Sequence, residues 1–196
     1  ATLLGWHAPF TAIQLLWINI IMDGPPAMTL GIDPARPGIM QDKPRQQAAQ
    51  ILTVPRLARL MLYGTTMMLG TLSMFQYGLT THGQPYALTL AFTTFVLFQF
   101  FNVFNARAEH GTAFNANFFR NGKLWLALSS VIVLQALAVH WWPAQAIFGT
   151  TDLQMGDWLL ATTVASSVLL LDEVRKLLAR RFRLLPGRAR PSTRGE

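Results

Sequence analysis

Five apolar stretches dominate the sequence, and each is close to the 20 or so residues that a helix needs to cross a lipid bilayer. Because lipid offers no hydrogen bonds, a spanning segment must pair its backbone groups internally, as a helix does. The sequence therefore predicts an all-α fold, a polytopic membrane bundle whose first helix is broken at residues 23–26. The five predicted transmembrane helices are residues 11–32, 54–79, 86–105, 124–142 and 158–178.

Composition supports a membrane protein and excludes several kinds of site. Hydrophobic residues make up 52% of the chain and charged residues 13%, whereas soluble domains average about 25% charged residues. There is no cysteine, which excludes disulfides, thiolate metal sites and cysteine nucleophiles. We expect one membrane domain over residues 1–196, with the lipid bilayer as a partner and no nucleic-acid partner.

The basic residues give an independent test of the five-helix count. All 16 Lys and Arg fall in three groups, five at 36–59, three at 107–123 and eight at 175–194, which follow the first and third stretches and the end of the fifth; the other connections hold none. An odd number of spans puts these three segments on one side, which the positive-inside rule assigns to the cytoplasm. The predicted topology places the N-terminus outside and the C-terminus, with a basic tail at 179–196, inside the cell.

Asp23 is the acidic residue that lies near the middle of a predicted span. Counting about 1.5 Å per residue from Thr11 puts it roughly 18 Å deep, where an isolated carboxylate costs several kcal/mol unless it is paired, protonated or bound to a cation. Asn19 lies four residues earlier, on the same helix face. Carboxylate and amide oxygens suit hard cations, so Asn19 and Asp23 are the candidate metal ligands. The alternative is a structural Asp that bonds a neighbouring helix.

Gly24, Pro25 and Pro26 follow Asp23 directly. Two prolines remove backbone donors and clash with the preceding turn, so we expect the helix to unwind there and expose carbonyl oxygens. Irregular backbone at membrane depth is tolerated where it lines a cavity or is buried in protein. Interrupted helices of this kind form cation sites in transporters.

Further polar and small residues carry weaker predictions. Gln99, Asn102 and Asn105 share one face of the third span, and they either add neutral oxygens at the edge of the same site or form hydrogen bonds between helices. Gly64 and Gly70 are predicted to be close-packing positions between helices.

Two cytoplasmic segments have open interpretations. Residues 33–50 are rich in proline and charge and are either a docking surface for a soluble domain or a solvated linker. The basic segment at residues 175–183 is either a topological anchor or a surface that binds anionic lipid or a regulatory partner such as calmodulin.

The polar residues lie in stretches that resemble a known family. Residues 14–24, QLLWINIIMDG, followed by LGIDP at 30–34 and IMQDKPR at 39–45, look like the sixth transmembrane helix and next loop of P-type Ca²⁺-transporting ATPases. FVLFQFFNVFNAR at 95–107 is similar to the eighth helix of the plasma-membrane type, and LDEVRK at 171–176 to the end of the tenth. The resemblance implies the C-terminal transmembrane region, helices six to ten, of such a pump.

The resemblance implies a mechanism in which ATP phosphorylates an aspartate in a cytoplasmic domain while the membrane site alternates its access. The 196 residues contain neither the Asp-Lys-Thr-Gly phosphorylation motif nor a nucleotide domain, so this piece alone is not expected to hydrolyse ATP. Mg²⁺ and ATP are expected to bind the cytoplasmic domains of the parent pump, whose other helices complete the cation site. The expected location is the plasma membrane or the bacterial inner membrane.

Within the family, Asn19 and Asp23 match helix-six ligands. Met22 and Gln99 depart from the two-site sarcoplasmic-reticulum pattern, which has a threonine and a glutamate there. Neither a thioether nor a neutral amide replaces those ligands well, so one Ca²⁺ per cycle is predicted. Pumps for Mn²⁺, Na⁺ or H⁺ remain alternatives, as does a non-catalytic membrane scaffold or regulatory chain.

Overall fold

The structure is a computed structural model that describes residues 8–31, 53–107 and 121–184. All regular secondary structure in these ranges is helical. The helices are α1 (Ala12–Trp17), a π-helical segment (Ile18–Asp23), α2 (Pro25–Gly31), α3 (Val54–His82), α4 (Gln84–Arg107), α5 (Gly122–His140), α6 (Trp142–Phe148) and α7 (Met155–Leu184).

These helices coincide with the predicted spans to within a few residues at most ends. Three of them are long and apolar enough to cross a bilayer, Gln84–Arg107, Gly122–His140 and the Met155–Leu178 part of α7. The all-α prediction is confirmed for the described residues, while the count of five spans stays a prediction. Residues 33–50 and 185–196 lie outside the described residues, so the interpretations of the proline-rich loop and of most of the basic tail also stay predictions.

A single residue joins α3 to α4. Gly83 has φ 89° and ψ −177°, a backbone conformation that is open almost only to glycine. The chain reverses there, and α4 returns along α3. Near this turn the two backbones approach closely, because a Cβ added to Gly78 would lie 2.8 Å from the Cα of Ala87.

The core is centred on α4, which is buried between α3 and α7. Leu90, Leu97 and Phe98 of α4 pack against apolar residues of both neighbours. Gly70 makes this possible, because an added Cβ would lie 2.5 Å from the Phe98 ring; its predicted close-packing role is confirmed. The same prediction for Gly64 is wrong within the described part of the chain, where no atom lies within 4 Å of an added Cβ.

The connection from α5 to α7 is partly helical. It contains the short helix α6, which ends at Gly149 in a left-handed conformation with φ 64°. Thr151 then donates its backbone N–H to the Thr89 hydroxyl of α4 over 2.9 Å. The prolines at the starts of α3 and α6 stand in the first turn, where the missing amide proton costs nothing.

Candidate cation site

The predicted ligands lie on a helix that changes its winding. Thr11 caps α1, with its hydroxyl accepting from the Gln14 amide at 3.3 Å and the Gln14 side chain accepting from the Thr11 amide at 3.1 Å. After Trp17 the chain widens into the π-helical segment Ile18–Asp23. Such insertions are rare, and they occur frequently at functional sites.

The break comes at Gly24, one residue after Asp23. Its φ of −74° and ψ of −81° are not helical, and a Cβ there would lie 2.8 Å from the Ile20 carbonyl oxygen. The helix restarts with Pro25 and Pro26 in the first turn of α2, and neither residue can donate a backbone hydrogen bond. The break is therefore where the sequence predicted it, as a widened turn followed by a restart.

One side of the π-helical segment is packed and the other is open. Ile18 is 5% exposed, and with Ile21 it packs against Phe92 and Val96 of α4. Asn19 is exposed. Asp23 closes the segment, and the position of its side chain lies outside the described part of the structure. The structure thus puts both predicted ligands on one π-helical segment with an open side.

We call α1, the π-helical segment and α2 together the interrupted helix. Both of its ends form hydrogen bonds with other helices. Near the start, the Gln14 side chain donates to the Phe148 carbonyl of α6 over 3.1 Å. Near the end, the Asn121 side chain donates to the Thr29 carbonyl over 3.1 Å, and Asn121 also caps α5 by accepting from the Leu124 amide. Neither the role of Gln14 nor that of Asn121 was predicted from the sequence. Thr11 and Gln14 have the spacing of a capping box, but nothing in the sequence indicates the partner carbonyls.

The polar face of α4 divides between two environments. Asn105 is 5% exposed and donates to the Val168 carbonyl of α7 over 3.1 Å. Of the two predicted roles for this residue, the structure therefore has the hydrogen bond between helices. Gln99 is half-buried and lines a cavity of about 500 Å³ with Phe95 and Thr71. Asn102 is half-buried. The three residues therefore do not converge on one point.

A second polar centre, missed from the sequence, joins α3 to α7. Asp172 is 1% exposed and accepts from the Tyr63 hydroxyl. Its other partners are Arg175, with Nη2 2.7 Å from Oδ1, and Lys176, with Nζ 2.7 Å from Oδ2. The spacings of three and four residues signal such pairs on a helix. All charges here are paired with one another, which is typical of a structural cluster.

Two histidines in the described part of the chain, His82 and His140, contact aromatic and acidic neighbours. His82 stacks on Tyr86 with a centroid distance of 4.3 Å. His140 lies 3.0 Å from an Asp152 oxygen and accepts from the Trp158 indole N–H over 3.2 Å. In the described ranges, no group of three or more His, Cys, Asp or Glu side chains is arranged to hold a metal ion.

Comparison with known proteins extends over nearly the whole chain. The family described as "Cation transporting ATPase, C-terminus" matches residues 7–178. Mouse "Calcium-transporting ATPase type 2C member 2" is 34% identical over 194 residues, 98% of this chain and 20% of that protein. "Calcium-transporting ATPase 1" of Schizosaccharomyces pombe is 36% identical over 183 residues, 92% and 20%. The protein of that name in Saccharomyces cerevisiae is 36% identical over 175 residues, 88% and 18%.

Proposed function

Because the chain belongs to the C-terminal family of cation-transporting ATPases, we propose that it supplies Asn19 and Asp23 to the membrane Ca²⁺ site of an ATP-driven pump. The chain spans about a fifth of the length of the curated relatives it matches. Phosphorylation and nucleotide binding are therefore assigned to other parts of the parent pump, a Ca²⁺ translocase. The resemblance to the plasma-membrane type stays a prediction, because the names of the relatives described above do not include that type.

The observation that carries the proposal is the π-helical interruption at Asn19 and Asp23. A carboxylate at membrane depth is costly without a partner, and an amide oxygen and a carboxylate are ligands of hard cations. Pro25 and Pro26 deprive the preceding carbonyls of amide donors, which leaves backbone oxygens able to join the coordination shell. The exposed side of the segment at Asn19 is where helices of the parent pump are expected to bring the remaining ligands.

The membrane setting supports the same function. The family and the three apolar helices make this a multi-pass membrane protein. We place its C-terminus in the cytoplasm from the distribution of basic residues. The membrane itself is the plasma membrane or a bacterial inner membrane. In the parent pump, ATP hydrolysis in cytoplasmic domains would open the site to one side and then to the other.

Substitution of Asp23 in the full-length pump tests the ligand role. Asp23→Asn keeps the side-chain shape but removes the charge. We expect the Ca²⁺ concentration for half-maximal phosphorylation by ATP to rise at least about 100-fold, equivalent to about 2.7 kcal/mol. Asp152→Asn is the matched control, because Asp152 is exposed and pairs with His140. Wild-type Ca²⁺ dependence in Asp23→Asn would refute the ligand role, and Mn²⁺, Na⁺ and pH titrations identify the transported ion.

The number of ions per cycle is a separate proposal. Met22 and Gln99 replace the oxygen ligands of a two-site pump, so we propose one Ca²⁺ per ATP. Counting Ca²⁺ transported per ATP hydrolysed in sealed vesicles tests this directly. A ratio of two would contradict the single site and leave the ligand role of Asp23 intact.

A further inference from the structure

We infer that Gln14 and Asn121 are positioning residues for the cation site, because they fix the two ends of the interrupted helix that carries it. This inference rests on the proposed function of Asn19 and Asp23. Neither residue is offered as a cation ligand. Gln14 of α1 donates a side-chain amide hydrogen bond to a backbone carbonyl of α6, and Asn121 at the start of α5 donates one to a backbone carbonyl of α2.

Gln14 holds the outer end. Its side chain is 0% exposed, its oxygen accepts from the Thr11 amide, and its nitrogen donates to the Phe148 carbonyl. Trp17 packs edge-on against the Phe148 ring at a centroid distance of 4.7 Å. The last α-helical turn before the π-helical segment is therefore held against α6 by one hydrogen bond and one aromatic contact.

Asn121 holds the inner end. It is 6% exposed, and both the oxygen and the nitrogen of its side-chain amide form hydrogen bonds. The oxygen caps α5 at the Leu124 amide over 3.0 Å, and the nitrogen reaches the Thr29 carbonyl of α2 over 3.1 Å. The start of α5 is thereby bonded to the helix that follows the break at Gly24.

The winding of the segment between these ends explains why both matter. A π-helical turn holds one more residue than the α-helical register allows. If the turn relaxed to α-helix, one end would rotate by about 100° relative to the other, the angle of one residue. Asn19 and Asp23 would then change their directions. Bonds to α6 at one end and α5 at the other oppose that rotation.

The test measures the Ca²⁺ dependence of phosphorylation in the full-length pump. Gln14→Leu removes the donor to Phe148 at similar volume. Asn121→Ser keeps a capping oxygen for α5 but is too short to reach Thr29. We expect each substitution to raise the half-maximal Ca²⁺ concentration by about 3- to 10-fold with a smaller change in maximal phosphorylation. That concentration does not depend on how much folded pump is present, so a lower yield does not imitate the effect.

Two controls separate positioning from general stability. Gln135→Leu removes an equally buried glutamine, which donates to Thr93 between α4 and α5 over 3.2 Å rather than to the interrupted helix. Thr11→Ala removes the cap of α1 and leaves the Gln14 donor in place. Both are expected to lower stability and to leave the half-maximal Ca²⁺ concentration within twofold of wild type.

The outcomes distinguish this inference from the proposed function. An unchanged Ca²⁺ dependence in both Gln14→Leu and Asn121→Ser would overturn the inference, and so would an equal shift in Gln135→Leu. If Asp23→Asn, measured in parallel, retained wild-type Ca²⁺ dependence, the proposed function would fail instead. The expected result is a rise of about 3- to 10-fold in Gln14→Leu and Asn121→Ser, a rise of at least about 100-fold in Asp23→Asn, and no rise beyond twofold in the two controls.

Discussion

The interrupted helix, which contains the π-helical segment Ile18–Asp23, is stabilised differently from the three longest helices, α3, α4 and α7. The long helices pack through small residues and large apolar side chains, as at Gly70 and Phe98. The interrupted helix packs one face through Ile18 and Ile21 and is otherwise bonded near its two ends. Its Asn19 side remains exposed.

This difference matches two separate tasks. In lipid, helix association depends on close packing because the bilayer is as apolar as the side chains, so the α3–α4–α7 core has the features of a rigid platform. A cation site that changes its access needs a segment that is held without being packed all round. The comparison predicts that substitutions in the core reduce stability, whereas substitutions at the interrupted helix change Ca²⁺ dependence.

The largest expected loss of stability is at Asp172. Asp172→Asn removes the carboxylate that Arg175 and Lys176 both contact, while Lys176 keeps Glu173 at 3.3 Å. Breaking a buried ion pair costs about 3–5 kcal/mol, and we expect a loss near the lower end of that range because Arg175 is one-third exposed. We expect the detergent-solubilised full-length pump to aggregate at a lower midpoint temperature. Size-exclusion chromatography after heating measures the fraction that remains unaggregated. The half-maximal Ca²⁺ concentration of the surviving pump should stay within twofold of wild type.

Asp152→Asn provides the control for this substitution. Asp152 has a side chain that is 73% exposed and pairs with His140, and exposed pairs contribute about 0–1 kcal/mol. Equal losses of thermal stability in Asp172→Asn and Asp152→Asn would show that the buried cluster does not stabilise the core.

A smaller loss is expected where α3 meets α4. Gly78→Ala places a methyl group 2.8 Å from the Cα of Ala87, so the helices must separate, at a cost of about 1–3 kcal/mol. Gly64→Ala is the matched control on the same helix, because the new methyl meets no described atom within 4 Å. It should be neutral or slightly stabilising, since Ala is the better helix former by about 1 kcal/mol. The same thermal assay ranks the two variants.

The helical segments were predictable because apolar length is a local property of the sequence. The break after Asp23 was predictable for a similar reason, since Gly24 and two prolines impose it directly. The π-helical winding of residues 18–23 was not predicted, because whether a turn holds an extra residue depends on the tertiary contacts at the two ends of the helix. Gly64 and Gly70 show the same limit, because both looked alike in sequence and only Gly70 faces a neighbouring ring.

The polar contacts were harder to predict than the helices. Asp172, Arg175 and Lys176 have helical spacing, but Tyr63 lies 109 residues away and completes the cluster from another helix. Gln14 and Asn121 bond backbone carbonyls, and a carbonyl carries no sequence identity. The candidate ligands were identified because a carboxylate at membrane depth is exceptional, whichever helices surround it.

The smallest expected effect is at Gln99, and it tests where the boundary between core and site lies. Gln99 is half-buried beside the cavity that Phe95 and Thr71 also line, and we predicted it to be peripheral because a neutral amide replaces a charged ligand there. Gln99→Leu should leave the half-maximal Ca²⁺ concentration within twofold of wild type, because no coordinating charge is lost. Gln14→Leu is the matched comparison, with the same substitution at the interrupted helix and a predicted rise. A rise in Gln99→Leu as large as that in Gln14→Leu would extend the site onto α4 and remove the distinction between the two regions.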